Sequence, residues 1–218
     1  MTIRVVLVDD QELFRAGIQV IIDAANDLEV VGSAADGVDG LRLVDELAPD
    51  VVLMDIHMPE MDGVEATRRI FAPHRGARRG GKVRVIVLTT FDLDDRAATA
   101  IRYGASGFLL KDTTPQILQG AIRAVHAGSA VLAPEDLSTL MDGQFRPRAD
   151  PPAHFSTLTE KEREVFAALA MGLSNSEIAA EIFASESTVK THVGSILRKL
   201  SLRDRVQIVV FAHEYGLL

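Results

Sequence analysis

The sequence predicts an α/β unit built on a doubly wound, five-stranded parallel sheet, followed by a small all-α unit. Three observations carry this. Five short apolar runs alternate with segments of helical spacing between Ile3 and Ala127. The third run, Val51–Asp55, is continuously hydrophobic and ends on a carboxylate just before Met58-Pro59, the pattern of a strand buried on both faces. From Leu158 onward no strand pattern remains, and polar caps punctuate apolar helix faces.

The elements follow in order. Ile3–Val8 is a buried strand bounded by Asp9-Asp10, and Glu12–Ala25 places Leu13, Phe14, Ile18, Ile21 and Ile22 at helical spacing. Glu29–Ser33 is a short second strand, and Gly37–Leu47 a helix with Leu41, Val44 and Leu47 on one side. After Val51–Asp55, Asp62 caps a helix that runs to about Phe71. Pro73–Lys82, rich in Gly and Arg, reads as an exposed loop. Val83–Leu88 is the fourth strand, Asp94–Tyr103 a helix, and Gly107–Leu110 the fifth strand. Pro115 suits the first turn of the helix Pro115–Ala127. Right-handed crossovers then give a flavodoxin-like layer structure.

Pro134–Met141 reads as a short extra helix, and Asp142–His154, with Gly143, Pro147, Pro151 and Pro152, as a linker. Helices are expected at Glu160–Met171, Asn175–Ile182, Glu186–Leu200 and Arg203–Glu214. The resulting division is 1–128, a connecting 129–157, and 158–218.

Composition narrows the class. The chain has 218 residues, 47% hydrophobic and 25% charged, as ordinary globular proteins have. No apolar run reaches the roughly 18 residues of a membrane span, and Met1-Thr2-Ile3-Arg4 enters a strand without room for a signal peptide. The cytoplasm is the expected location. With no Cys, disulfides and thiolate metal sites are excluded. The net charge of −8 is uneven: residues 1–141 hold 14 Lys and Arg against 21 Asp and Glu, while from Glu186 to His213 five bases face two acids. The acidic front argues against whole-chain attraction to nucleic acid; the basic end leaves a local one open.

The strand ends collect the chemistry. The first gives Asp9 and Asp10, the third Asp55, the fourth Thr89 and the fifth Lys111, all at one edge of the sheet. Carboxylates that close resist ionisation unless something neutralises them. Mg²⁺ is the expected cation, since it takes oxygen ligands and needs only one or two protein carboxylates. A remaining carboxylate is then a nucleophile for a phosphoryl group, with a Lys and a Thr hydroxyl to hold its oxygens. With Met58-Pro59 and Asp62-Gly63 added, residues 1–128 resemble the receiver domain of two-component response regulators.

The resemblance implies that Asp55 accepts a phosphoryl group from a sensor histidine kinase. It implies Mg²⁺ held by Asp10, Asp55 and the backbone carbonyl of His57, with Asp9 assisting through water. Thr89 and Lys111 would contact the phosphoryl oxygens, and Thr89 and Phe108 would move on activation. Two features depart from the common receiver pattern. Asp112, not Pro, follows Lys111, which argues against a cis bond there. His57 is an unusual neighbour of the phosphorylation site, and its side chain is expected to face solvent.

In the second unit Thr159 with Glu162, and Ser174 with Glu177, form capping boxes, and Ser185 caps the third helix. Short helices joined by a tight turn, then a longer one, make a helix-turn-helix. On Glu186–Leu200, Val189, Val193, Ile196, Leu197 and Leu200 form a core stripe. Ser187, Thr188, Lys190, Thr191, Ser195 and Arg198 are the candidate DNA contacts. The runs Leu158–Val165, Gly172–Ala179 and Thr188–Val193 look like the LuxR-type DNA-binding domain. Together with the receiver, the chain is similar to the NarL/FixJ family of response regulators. By that similarity Lys190 and Thr191 contact DNA, while Gly194 stands where another family contact is often made. The final helix is apolar around much of its circumference, and the resemblance implies a homodimer through Val206, Val209 and Val210 on a double-stranded promoter operator.

The expected function is a phosphorylation-controlled transcription regulator without substrate turnover. Two rivals stay open on the sequence: a Mg²⁺ phosphohydrolase using Asp55 or Asp9, and a regulator that works without phosphorylation.

Overall fold

The computed structural model describes residues 2–72, 83–90, 95–128 and 150–217. The chain divides into two compact units, Met1–Val131 and Leu132–Leu218.

The first unit has strands β1 (Ile3–Val8), β2 (Leu28–Ala34), β3 (Val51–Asp55), β4 (Arg84–Thr89) and β5 (Gly107–Leu110). Its helices are α1 (Glu12–Asp23), α2 (Gly37–Leu47), α3 (Gly63–Ile70), α4 (Asp95–Tyr103) and α5 (Pro115–His126). All neighbouring strands are parallel, in the order β2-β1-β3-β4-β5. The order reverses direction at β1, and a crevice opens beyond the strand ends where β1 meets β3.

Both faces of the sheet are covered, which explains why its strands read as continuous apolar runs. Val5, Leu7, Leu53, Ile86 and Leu88 point one way and pack with Ile18, Ile22, Leu118 and Ile122 of α1 and α5. The alternate residues Val6, Val8, Val52, Met54, Val85 and Val87 are buried on the other side. Asp36 caps α2, Asp62 caps α3 and Thr114 caps α5 ahead of Pro115. The strand boundaries at β1, β3 and β5 are those expected; β2 is a residue longer at each end, and β4 runs one residue later.

The second unit contains α6 (Glu160–Ala170), α7 (Asn175–Glu181), α8 (Glu186–Leu200) and α9 (Arg205–Glu214). Both expected capping boxes form, and Ser185 accepts from the Thr188 amide. The α8 core stripe is confirmed: Val189, Ile196 and Leu200 are buried, with Val193 and Leu197 packed against the same core. Helix α9 starts two residues later than expected because buried Asp204 caps it, accepting from the Gln207 amide.

One boundary is corrected. Ala153–Thr157 is a 3-10 helix rather than a linker end. Its Phe155 lies 5.3 Å from Phe166 and 6.0 Å from Phe211, ring centroid to centroid, so Phe155 already packs against the helical core. The expected helix Pro134–Met141, the loop Pro73–Lys82, residue 94 and most of the linker lie outside the described residues.

Candidate functional site: an acidic crevice and a recognition helix

Strand register alone assembles the crevice. Val8 pairs with Met54, so Asp9 follows β1 at the level where Asp55 ends β3. Asp55 pairs with Leu88, which brings Thr89 alongside, and Thr89 pairs with Leu110. The Lys111 amide donates to the Thr89 carbonyl at 2.7 Å. Carboxylate oxygens of Asp9, Asp10 and Asp55, one from each, lie within 4.8 Å of one another. Asp9, Asp55 and Thr89 are buried, whereas Asp10 is exposed at the mouth.

Lys111 is the counter-charge. Its Nζ stands 2.7 Å from Asp9 Oδ2 and 3.1 Å from Asp55 Oδ1, and its side chain is only 8% exposed. The Phe14 ring, whose centroid is 4.9 Å from Nζ, seats the ammonium from α1. Phe14 read only as a core residue in the sequence.

One ammonium does not neutralise three carboxylates. Burial pushes the Asp55 carboxyl above its ordinary range; Lys111 pulls it down, and the Asp9 and Asp10 charges push it up again. Asp9 Oδ1 accepts from the Gln11 amide, but buried Oδ2 accepts no hydrogen bond of sound angle despite the nearby ammonium. An all-oxygen cluster of three carboxylates with surplus negative charge fits a hard divalent cation.

Gly63 explains the Asp62-Gly63 pair. Its amide donates 3.0 Å to the Ile56 carbonyl, and a Cβ there would lie 1.9 Å from the Asp55 carbonyl oxygen. Only glycine lets α3 start this close to the functional carboxylate. Gly63→Ala is expected to destabilise the first unit by about 1–3 kcal/mol, an overpacking cost, measured by urea denaturation. An unchanged midpoint would contradict the close approach.

The remaining expected residues of this unit fall as follows. His57 is exposed. Phe108 is half-buried on β5, paired in register with Val87. Among the described residues no peptide bond is cis, Lys111-Asp112 included.

On α8, Ser187, Thr188, Lys190, Thr191 and Arg198 are exposed. Ser195 is a correction. Its hydroxyl donates to Glu162 Oε1 at 2.7 Å and faces Arg198 Nη2 at 3.3 Å, so it ties α8 to α6 instead of standing free for DNA. Buried Glu162 also accepts from the Thr159 amide at 2.7 Å and from Lys199 Nζ at 2.6 Å. These donors, Lys199 first, hold its carboxyl down at about 2.

A second correction concerns α9. The expected surplus of exposed apolar surface is absent: Val206, Val209 and Val210 are 0, 3 and 6% exposed. The helix is apolar nearly all round because it is buried nearly all round. A dimer through these three valines would first have to uncover them.

Comparison with known proteins decides the family. The family model for the response regulator receiver domain matches residues 5–123, and that for bacterial regulatory proteins of the luxR family matches residues 156–212. The chain is a two-component response regulator. Its two units are the receiver and the LuxR-type DNA-binding domain, and it controls transcription. The response regulator is 41% identical to the transcriptional regulatory protein YxjL of Bacillus subtilis (strain 168), over 99% of this chain and 97% of YxjL. It is 39% identical to the transcriptional regulatory protein LiaR of the same strain, over 99% of each chain. Among solved structures it resembles the response regulator ChrA of a heme-sensing two-component system, with a TM-score of 0.52 and 36% identity over 100% of this chain and 99% of ChrA. No helix among the described residues of the response regulator is long and apolar enough to cross a membrane.

Proposed function

We propose that the response regulator carries its signal as a phosphoryl group on Asp55, taken from a phosphohistidine of a sensor histidine kinase. The observation that carries this is the Lys111 ammonium, 2.7 and 3.1 Å from two buried carboxylates at the edge of the sheet. An Asp55 carboxylate oxygen forms the new P–O bond while the P–N bond of the phosphohistidine breaks, and the imidazole nitrogen keeps the electron pair. Lys111 is placed to move onto the incoming phosphoryl oxygens, and Thr89 lies beside it to donate its hydroxyl. Asp9, Asp10, Asp55 and the His57 carbonyl would hold Mg²⁺, which supplies charge neutralisation and orients the phosphoryl group. Attack by water on the acyl phosphate returns the carboxylate and releases inorganic phosphate, so the chain self-phosphorylates and self-dephosphorylates without turning over a substrate.

The new group adds roughly −1.5 to −2 charges beside Thr89. Thr89 and Phe108 respond, and the population shifts toward a homodimer on a double-stranded operator. In that state Val206, Val209 and Val210 become available to the second copy. Ser187, Thr188, Lys190, Thr191 and Arg198 contact the duplex, with Ser195 bracing the helix behind them. Residues 1–128 carry the phosphoryl chemistry and residues 158–218 the DNA contacts, with the 3-10 turn Ala153–Thr157 immediately before the second unit's first α-helix. Action on DNA supports a cytoplasmic site.

The test uses an operator enriched from random duplexes by the phosphorylated protein. A small acyl-phosphate donor with Mg²⁺ is expected to tighten wild-type binding at least tenfold and to leave Asp55→Asn unchanged. Equal binding by both proteins, with and without donor, would favour a regulator that works without phosphorylation.

A further inference from the structure

Lys111 has a third neighbour besides its two carboxylates. Its Nζ lies 2.7 Å from Asp9, 3.1 Å from Asp55 and 4.9 Å from the centre of the Phe14 ring, over the ring face. Both sides of this contact are anchored. The Lys111 amide donates 2.7 Å to the Thr89 carbonyl. Phe14 packs from α1 against the core of the sheet, and the next residue, Arg15, donates its guanidinium to the Asp9 backbone carbonyl. The strand ends that build the crevice therefore also bring ring and ammonium together. Core packing alone does not ask for a ring here: Phe14 is half-buried, and an aliphatic side chain fills such a position as well. What an aliphatic side chain lacks is an electron-rich face.

The two carboxylates are partners that the chemistry proposed above takes away. Asp9 and Asp55 would turn their oxygens to Mg²⁺, and Asp55 would then commit one of them to the P–O bond. An ammonium deprived of both anions either stays in a desolvated crevice without a partner or swings out to water on its flexible stem. The ring is neutral, so neither metal nor phosphoryl group competes for it. A desolvated ammonium over an aromatic face gains up to about thirtyfold in occupancy of that place.

We propose that Phe14 is a positioning residue for phosphoryl transfer, its ring face keeping the Lys111 ammonium inside the crevice once Asp9 and Asp55 are engaged. This rests on the reading of Asp55 as the phosphoryl acceptor. Phe14 acts through Lys111 and not on the reacting atoms. In the resting site the carboxylates already hold the ammonium. In the metal-loaded site the ring sets the fraction of molecules whose ammonium is ready to meet the phosphoryl oxygens. Losing the face slows phosphoryl uptake at saturating Mg²⁺ and does not weaken Mg²⁺ binding.

The test takes the full chain with Phe14 replaced by phenylalanines bearing one, two or three ring fluorines, which keep the shape and progressively drain the face of electron density. Phe14→Leu, apolar but without a face, is the fourth variant. Uptake from a small acyl-phosphate donor is timed by intact-protein mass at saturating Mg²⁺, and Mg²⁺ affinity is read by calorimetry. The Lys111 ε-methylene proton shift, assigned with Lys111→Arg, is followed by NMR with chelator and with Mg²⁺. Uptake is expected to fall stepwise along the fluorine series, by about fivefold to tenfold at three fluorines and in Phe14→Leu, with Mg²⁺ affinity within about twofold of wild type or tighter. In the wild type the ε-methylene protons are expected to be shielded by the ring and to stay shielded when Mg²⁺ is added. Equal uptake across the fluorine series would overturn the proposal, as would protons that lose their shielding on adding Mg²⁺. A loss of uptake matched by a loss of Mg²⁺ affinity would place the ring in metal binding and overturn it too. No adduct on the wild type, or an equal one on Asp55→Asn, would instead sink the phosphoryl-acceptor reading itself, and the positioning role with it.

Discussion

Replacing Lys111 with alanine is expected to destabilise the receiver by about 3–5 kcal/mol in the presence of chelator, the cost of leaving a buried charge uncompensated. The ammonium lies 2.7 Å from Asp9 and 3.1 Å from Asp55, and both carboxylates are almost wholly buried. Without it they face each other and Asp10 with no opposing charge. The loss should depend on pH in a definite direction. The Asp55 carboxyl is already raised by burial, so the folded state takes up its proton more readily than the unfolded chain. The penalty of the charged site is therefore full at neutral pH and falls as pH drops through the raised value. Removing Lys111 takes away the charge that pulls the Asp55 carboxyl down and so raises it further, and the variant should regain stability on mild acidification. Mg²⁺ should restore part of the loss, because a bound cation stabilises the folded state by mass action. Urea denaturation at neutral and mildly acidic pH, with chelator or Mg²⁺, checks all three. A loss below about 1 kcal/mol would be the size of a surface ion pair and would remove Lys111 as the structural counter-charge.

The second large effect lies in the DNA-binding domain. Glu162→Ala is expected to cost that domain roughly 3 kcal/mol, the free energy matching a shift from 4.5 to about 2. The carboxylate gathers the Thr159 amide, Ser195 and Lys199, and so joins the start of α6 to the far half of α8. Here the sign is opposite to that of Asp55. A depressed carboxyl stabilises the fold above its unfolded value near 4.5, and that contribution disappears as pH falls toward about 2. Helical circular dichroism of the wild type should reveal this acid-labile step, and Glu162→Gln should flatten it. An equally steep acid transition in the variant would assign the step to other groups.

Much of the receiver was legible because its signals are local. A continuous apolar run marks a strand buried on both faces, and a parallel register then forces the residues after each strand to one edge. Asp9, Asp55, Thr89 and Lys111 meet for that reason alone. The capping boxes at Thr159 and Ser174 were equally local, each written within four residues.

The misses all depend on contacts between distant parts of the chain. Helical spacing puts Ser195 on the outer side of α8, but its partner Glu162 stands 33 positions away. Phe155 sits in a stretch with proline and no periodicity, and only its stacking on Phe211 reveals it as core. Val206, Val209 and Val210 form an apolar stripe whether they face a second copy or are covered within one chain; periodicity does not separate the two. Asp62-Gly63 was visible as a pair, but the reason for the glycine is the Asp55 carbonyl across the crevice.

The central claim is that Asp55 is the phosphoryl acceptor, and intact-protein mass tests it most directly. Wild type and Asp55→Asn are each incubated with a small acyl-phosphate donor and Mg²⁺, then weighed. A single phosphoryl adduct on the wild type, absent from Asp55→Asn and absent when chelator replaces Mg²⁺, is the predicted result. No adduct on the wild type, or an equal one on Asp55→Asn, would contradict it.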